Sequence, residues 1–240
     1  MARSIVRLIA LTILITTFPL PAIAAPPSHF TAHDLETDEV LYTGEQTMTE
    51  TGETFTERVT YRAPDGTLIF EREGAYRADT LSAVSYRATD LRLGMEEAVR
   101  RTNGGLEIRF KKDAKHKEKS SILASAGMQL LSLSIPALIH REWGRLAAGE
   151  QLAFELIVPS RTGTVGFRLN RTGEETVNGR ATAIFRMEPS GWLIRKVVDP
   201  MFFYMALDGD HPSVQFRGRG VVPTASGDAL PVRVVYGTRE

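Results

Sequence analysis

Along most of the chain, apolar and polar positions alternate in short runs separated by Gly, Asn, Asp and Pro. A period of two is the mark of a strand with one buried face. Phe55 to Arg62 shows it cleanly, with Phe55, Glu57, Val59 and Tyr61 on one side. Pro64-Asp65-Gly66 then supplies a turn, because proline presets φ and glycine accepts positive φ. The return run Thr67 to Glu71 completes a hairpin. Further runs begin at Val40, Leu81, Leu91 and Leu106, although Gly94 to Val99 is also compatible with a helix. Beyond Gly149 the alternation strengthens, through Leu152/Phe154/Leu156/Val158, Val165/Phe167/Leu169 and Ala181/Ala183/Phe185/Met187. Met201 to Leu207 is apolar on both faces, and Val214 to Arg217 and Val232 to Tyr236 follow. So many short strands at hairpin spacing predict a mainly β fold, an antiparallel meander curled into a barrel or half-barrel.

One stretch breaks this grammar. Ser121 to Ile139 carries no charge, and an amphipathic segment runs from His140 to Leu146. Ser134 as N-cap, Pro136 in the first turn and Gly149 past the end predict one principal helix over Pro136 to Ala148. Ile135, Ile139, Trp143 and Leu146 fall on one face of it at helical spacing. The part before Ser134 reads either as a separate short helix or as an extended crossing. The insertion spans about residues 121–149, and the sheet is expected to wrap around it.

The N-terminus changes the picture of where the chain works. Arg3 and Arg7 precede an uncharged core from Leu8 to Leu20, and Ala22 and Ala24 form an A-x-A site. That is the pattern of a signal peptide over residues 1–24, cleaved after Ala24. Its core is shorter than the ~20 residues of a membrane span, so the processed chain is not expected to be an integral membrane protein. Removal of the leader takes 2 of the 29 basic residues, leaving 27 against 29 acidic and a net charge of −2. Nucleic acid, which wants a strongly basic face, is therefore not an expected partner. The chain has no cysteine, so thiolate metal sites and cysteine nucleophiles are excluded. Residues 25–39 read as a flexible lead-in and residues 40–240 as a single β-rich domain, periplasmic or secreted.

Candidate chemistry is sparse. No phosphate-binding loop, dinucleotide fingerprint, nucleophile elbow or zinc-protease motif is present. His29 and His33 have ligand spacing but no third ligand beside them. Asp208, Asp210 and His211 read as turn residues. His140, Glu142 and Ser160 are the one nucleophile, base and acid set, and residues two apart on a helix do not face each other. Lys111 to Lys119 reads as a solvated loop, and Arg168, Arg186, Arg217 and Arg233 as solvated positions opposite the apolar faces. No catalytic residue, metal or cofactor is expected, and the chain reads as a non-enzyme.

At the second half the chain resembles a family of uncharacterised, signal-bearing bacterial periplasmic proteins. The resemblance rests on Trp143 to Gly149, on Val158-Pro159-Ser160-Arg161 and on Met187 to Arg195, with Tyr61 to Gly66 consistent with it. It implies export and carries no established activity. At the level of architecture the chain is also similar to lipoprotein carriers, half-barrels that hold acyl chains. Two functions follow: a binding protein for an apolar ligand such as a lipid or acyl chain, and a structural or protein-interaction module of the cell envelope. For the first, the bulky residues Met128, Leu131, Ile139, Trp143, Phe154, Phe167 and Phe185 are the expected ligand contacts.

Overall fold

The computed structural model describes residues 23–24, 28–124, 127–224 and 226–237. The strands before the insertion are β1 (Ile23–Ala24), β2 (Ser28–Asp34), β3 (Val40–Thr51), β4 (Thr54–Arg62) and β5 (Leu68–Arg77). β6 (Ala83–Asp90), β7 (Met95–Thr102), β8 (Gly105–Lys111) and β9 (Lys119–Leu123) continue the series. After it come β10 (Gln129–Leu130), β11 (Leu152–Val158), β12 (Gly163–Val177) and β13 (Arg180–Pro189). β14 (Met201–Ala206), β15 (Ser213–Pro223) and β16 (Ala229–Gly237) complete one 16-stranded sheet. Sequence neighbours pair antiparallel along both halves, and the two halves join where β16 pairs with β2. β10 lies parallel to β11. The sheet is therefore β-barrel-like but not closed, with β9 and β10 as its edges. Near this seam the Ser121 hydroxyl donates to the Thr162 carbonyl at 2.6 Å.

The expected leader lies outside the described residues except for Ile23 and Ala24, which pair with Glu50 and Thr49 of β3. The lead-in is a correction to the sequence reading: Ser28–Asp34 is a strand between β16 and β3. Phe30 and Ala32 on it are buried, so this strand belongs to the core and is held by pairing on both sides. Its polar positions had hidden the alternation. Gly94 is in the turn before β7, so the segment open to a helical reading is extended. The hairpin at Pro64-Asp65-Gly66 forms as expected, with the Gly66 amide donating to the Ala63 carbonyl at 2.8 Å.

The helical insertion differs more. Ser121 to Leu123 belongs to β9, and a 3-10 turn (Ser132–Ser134) leads into α1 (Ile135–Arg141) and α2 (Trp143–Ala147). Ser134 stands at the N-cap position, but its hydroxyl donates back to the Leu131 carbonyl at 2.9 Å instead of capping the helix. The single four-turn helix is broken at Glu142, with φ −98° and ψ 15°. Ile135, Leu138, Ile139 and Leu146 are buried, whereas Trp143 is only partly so. The break turns Trp143 off the face that an unbroken helix would share.

This insertion is seated against the inner face of the sheet. Gly74 on β5 makes room for it: a Cβ there would stand 2.4 Å from Leu133. Gly44 on β3 does the same for the Phe30 ring, which would stand 2.0 Å from any Cβ at that position. Strand glycines commonly mark such close approaches.

Candidate ligand cavity

Between α1 and the inner face of the sheet is a cavity of about 920 Å³. Its wall draws on β2 to β5 and β13 to β16, and α1 with the preceding turn contributes Leu133, Ile135, Pro136 and Ala137. His140, Asn178 and Pro212 are among the exposed members of the lining and mark its mouth. Most of the wall is apolar because inward positions of alternating strands are apolar. An aromatic row crosses it: Tyr61 stands edge-on to Phe30 at 5.5 Å, to Tyr42 at 5.7 Å and to Phe70 at 5.3 Å.

Set into that wall are two charged side chains. Glu57, on β4, is in phase with Val59 and Tyr61, and Arg72, on β5, is in phase with Phe70 and Tyr76. Period two therefore turns both inward. Glu57 is 3% exposed, and its carboxylate lies 3.7 Å from the Arg72 guanidinium. The same guanidinium sits over the Tyr61 ring, 5.7 Å from its centre. Among the described residues neither the Glu57 nor the Arg72 side chain makes a hydrogen bond, and the Arg72 Nε is buried without a partner. Glu97 on β7 also faces inward and accepts a hydrogen bond from the Tyr86 hydroxyl at 3.2 Å.

The electrostatics follow from burial. Desolvation pushes the Glu57 carboxyl up to about 7, with Arg72 pulling the other way. Glu97 is likewise raised to about 7 by desolvation, against the Tyr86 hydrogen bond and Arg72. Burial raises the Tyr236 phenol to about 12, and Tyr42, Tyr61 and Tyr86 still higher. Around Arg72 there are thus one firm positive charge and two carboxyl groups, Glu57 in the wall and Glu97 behind it, each raised by burial to about 7. At the mouth, desolvation and then repulsion from His211 lower the His140 imidazole, opposed by Asp210.

The seven residues expected as ligand contacts do not line this cavity. Leu131, Ile139, Phe154, Phe167 and Phe185 are buried in the hydrophobic core, filling space rather than bounding it. Met128 is 37% exposed. Trp143 stacks on His211, rings 3.6 Å apart and 3° from parallel, with Phe185 at 5.2 Å. The cavity is bounded instead by other residues of α1 and of β2 to β5 and β13 to β16, among them Ile135, Tyr61, Met187 and Val234. Glu57 was already in phase with its apolar neighbours in the sequence, and so were Arg72 and Glu97 with theirs. A charge on the inward phase of a strand is the signal that could have found them.

The other candidates are also placed. Glu142 is committed to Arg141 at 3.1 Å and Arg145 at 3.0 Å, and Ser160 lies at the far end of β11, in the 3-10 turn Pro159–Arg161. These positions do not assemble a triad with His140. His29 and His33 lie on β2, and among the described residues no group of three His, Cys, Asp or Glu could hold a metal ion. Residues 112–118 form the exposed connection between β8 and β9. The four outward arginines are partnered rather than merely solvated. Arg168 and Arg186 converge on Glu188 at 2.8 and 2.7 Å, Arg217 lies over the Tyr204 ring, and Arg233 pairs with Asp38.

No family model matches the chain, and no curated protein matches it. A solved structure does: a β-barrel-like protein of a domain of unknown function, DUF1849, from Brucella abortus. It aligns with a TM-score of 0.50 at 10% identity, covering 88% of this chain and 95% of that one. At that identity the likeness concerns the fold alone.

Proposed function

We propose that the protein is an exported, non-catalytic binding protein that takes an apolar ligand, a lipid or acyl chain, into the space between α1 and the sheet. The observation that carries this reading is the cavity itself. At about 920 Å³ it lies within the ~300–1,000 Å³ of ordinary ligand sites, and mouths of β-barrels are a common place for them. Export rests on the charge, core and cleavage pattern of residues 1–24. The test is to purify the mature protein from its natural compartment, extract it with organic solvent and analyse the extract by mass spectrometry. Stoichiometric lipid is expected. An extract without lipid, together with no displacement of a neutral fluorescent acyl probe, would overturn the reading.

One surface favours the second reading, an interaction module of the envelope. In the connection from β13 to β14, Trp192 and Leu193 are each 61% exposed and Val197 is 74% exposed. Lys196 lies 4.9 Å from the centre of the Trp192 ring. Exposed apolar clusters of this kind mark contact surfaces. The two readings use different parts of the molecule, so loss of binding partners on Trp192→Ala with lipid content intact would separate them.

A further inference from the structure

We infer that the cavity selects an amphiphile carrying an anionic oxygen headgroup, a carboxylate or a phosphate, which Arg72 receives inside the sheet while the chain lies along the apolar wall. The inference rests on the binding reading above and names its ligand class.

Arg72 is where the argument begins. Its side chain is 14% exposed and belongs to the cavity lining. A guanidinium carries five N–H donors in a planar fork suited to carboxylate and phosphate oxygens. Here the fork donates no hydrogen bond to any described residue, and its Nε is sealed without an acceptor. Buried charge is normally paired and hydrogen-bonded, because desolvation is expensive. The available counter-charge is poorly placed: Glu57 stands 3.7 Å away, outside hydrogen-bond distance. The Tyr61 face offers a weak further contact. The protein therefore holds a cation in an apolar cavity whose donors are left unused.

The rest of the cluster tolerates an incoming anion. Glu57 and Glu97 both hold their protons up to about pH 7, so neither presents a full negative charge under neutral conditions. A protonated carboxyl can in turn donate to the ligand's oxygen. A cationic headgroup would face Arg72 at close range, and a neutral hydroxyl would accept from the fork without supplying the counter-charge or a second acceptor oxygen.

The experiment compares probes of one chain length, each below its critical micelle concentration: palmitate, hexadecyl phosphate and hexadecanol. Binding is read by displacement of a neutral fluorescent acyl probe. Hydrogen bonds to a charged partner predict that at least one anionic probe binds about 10–100-fold more tightly than hexadecanol. Comparing palmitate with hexadecyl phosphate shows which headgroup is preferred. Arg72→Met should abolish the preference while leaving hexadecanol binding in place. Glu57→Gln, which removes the competing carboxylate and keeps the shape, should retain or increase it, and stands as the test if Arg72→Met does not fold. Equal binding of acid, phosphate and alcohol to the wild-type protein would overturn the headgroup inference and leave the apolar cavity standing. A preference that survives in Arg72→Met, or is lost in Glu57→Gln, would also overturn it. Failure of all three probes to bind would remove the binding reading itself.

Discussion

At the scale of single residues, the inward charges matter most. Glu57 has a folded pKa near 7 against an ordinary value of 4.5, so the folded state favours the protonated form. The stability this contributes is complete below about pH 4.5 and is lost as the pH rises through about 7. Unliganded protein should accordingly become easier to unfold with denaturant between pH 5 and pH 8. At ~1.4 kcal/mol per unit, the upper bound for Glu57 is roughly 3 kcal/mol. Glu57→Gln should flatten much of that slope, the remainder being the fall due to Glu97 set against a smaller rise from His140, whose lowered value acts in the opposite sense just below pH 6.5. Stability rising with pH across this window would contradict the assignment. The exposed carboxylates held below their usual range, Asp79 among them, act at lower pH and do not confuse the measurement. Trp143 gives a second expectation. Being partly buried, with contacts to His211 and Phe185, it should cost about 1–3 kcal/mol when changed to Ala. That is below the ~3–5 kcal/mol of a fully buried aromatic. An unchanged denaturation midpoint would show that these ring contacts stabilise nothing.

At the scale of elements, β2 is the informative case. It pairs with β16 from Val232 to Gly237 and with β3 from Val40 to Gln46, joining the two halves of the sheet. A chain beginning at Leu35 would lose Phe30 and Ala32 from the core and expose two strand edges. It should show no cooperative thermal transition by near-ultraviolet circular dichroism, and a native-like melt would mean that β16 and β3 can pair without it. The helical insertion behaves differently. Its uncharged character was plain from composition, and Ile135, Ile139 and Leu146 are buried as their spacing implied. The break at Glu142 was not, since no proline or glycine occupies that position. Arg141 and Arg145 both hold the Glu142 carboxylate.

At the scale of the molecule, the order of strands follows the order of the sequence almost throughout, which local alternation and turn residues suffice to encode. Hairpins at Pro64-Asp65-Gly66 and Asn178-Gly179 needed only their own residues, because turn geometry and the inward phase are local properties. The mainly β class and the place of the insertion were legible for the same reason. The pairing of β16 with β2 was not, because it joins segments about two hundred residues apart and depends on the curvature of the whole sheet. Nor was the division of bulky residues between packing and lining. Phe154, Phe167 and Phe185 share a phase with their neighbours whether the space before them is filled or open. Only the seating of the insertion, with Leu133 over Gly74 of β5 and Trp143 against Phe185 of β13, settles which bulky residues pack and which line the cavity. Glu57 and Arg72 join the two levels: their inward phase is written in the alternation of β4 and β5. Their meeting 3.7 Å apart in an apolar cavity exists only because antiparallel register sets Glu57 opposite Gly74 and Arg72 opposite Val59.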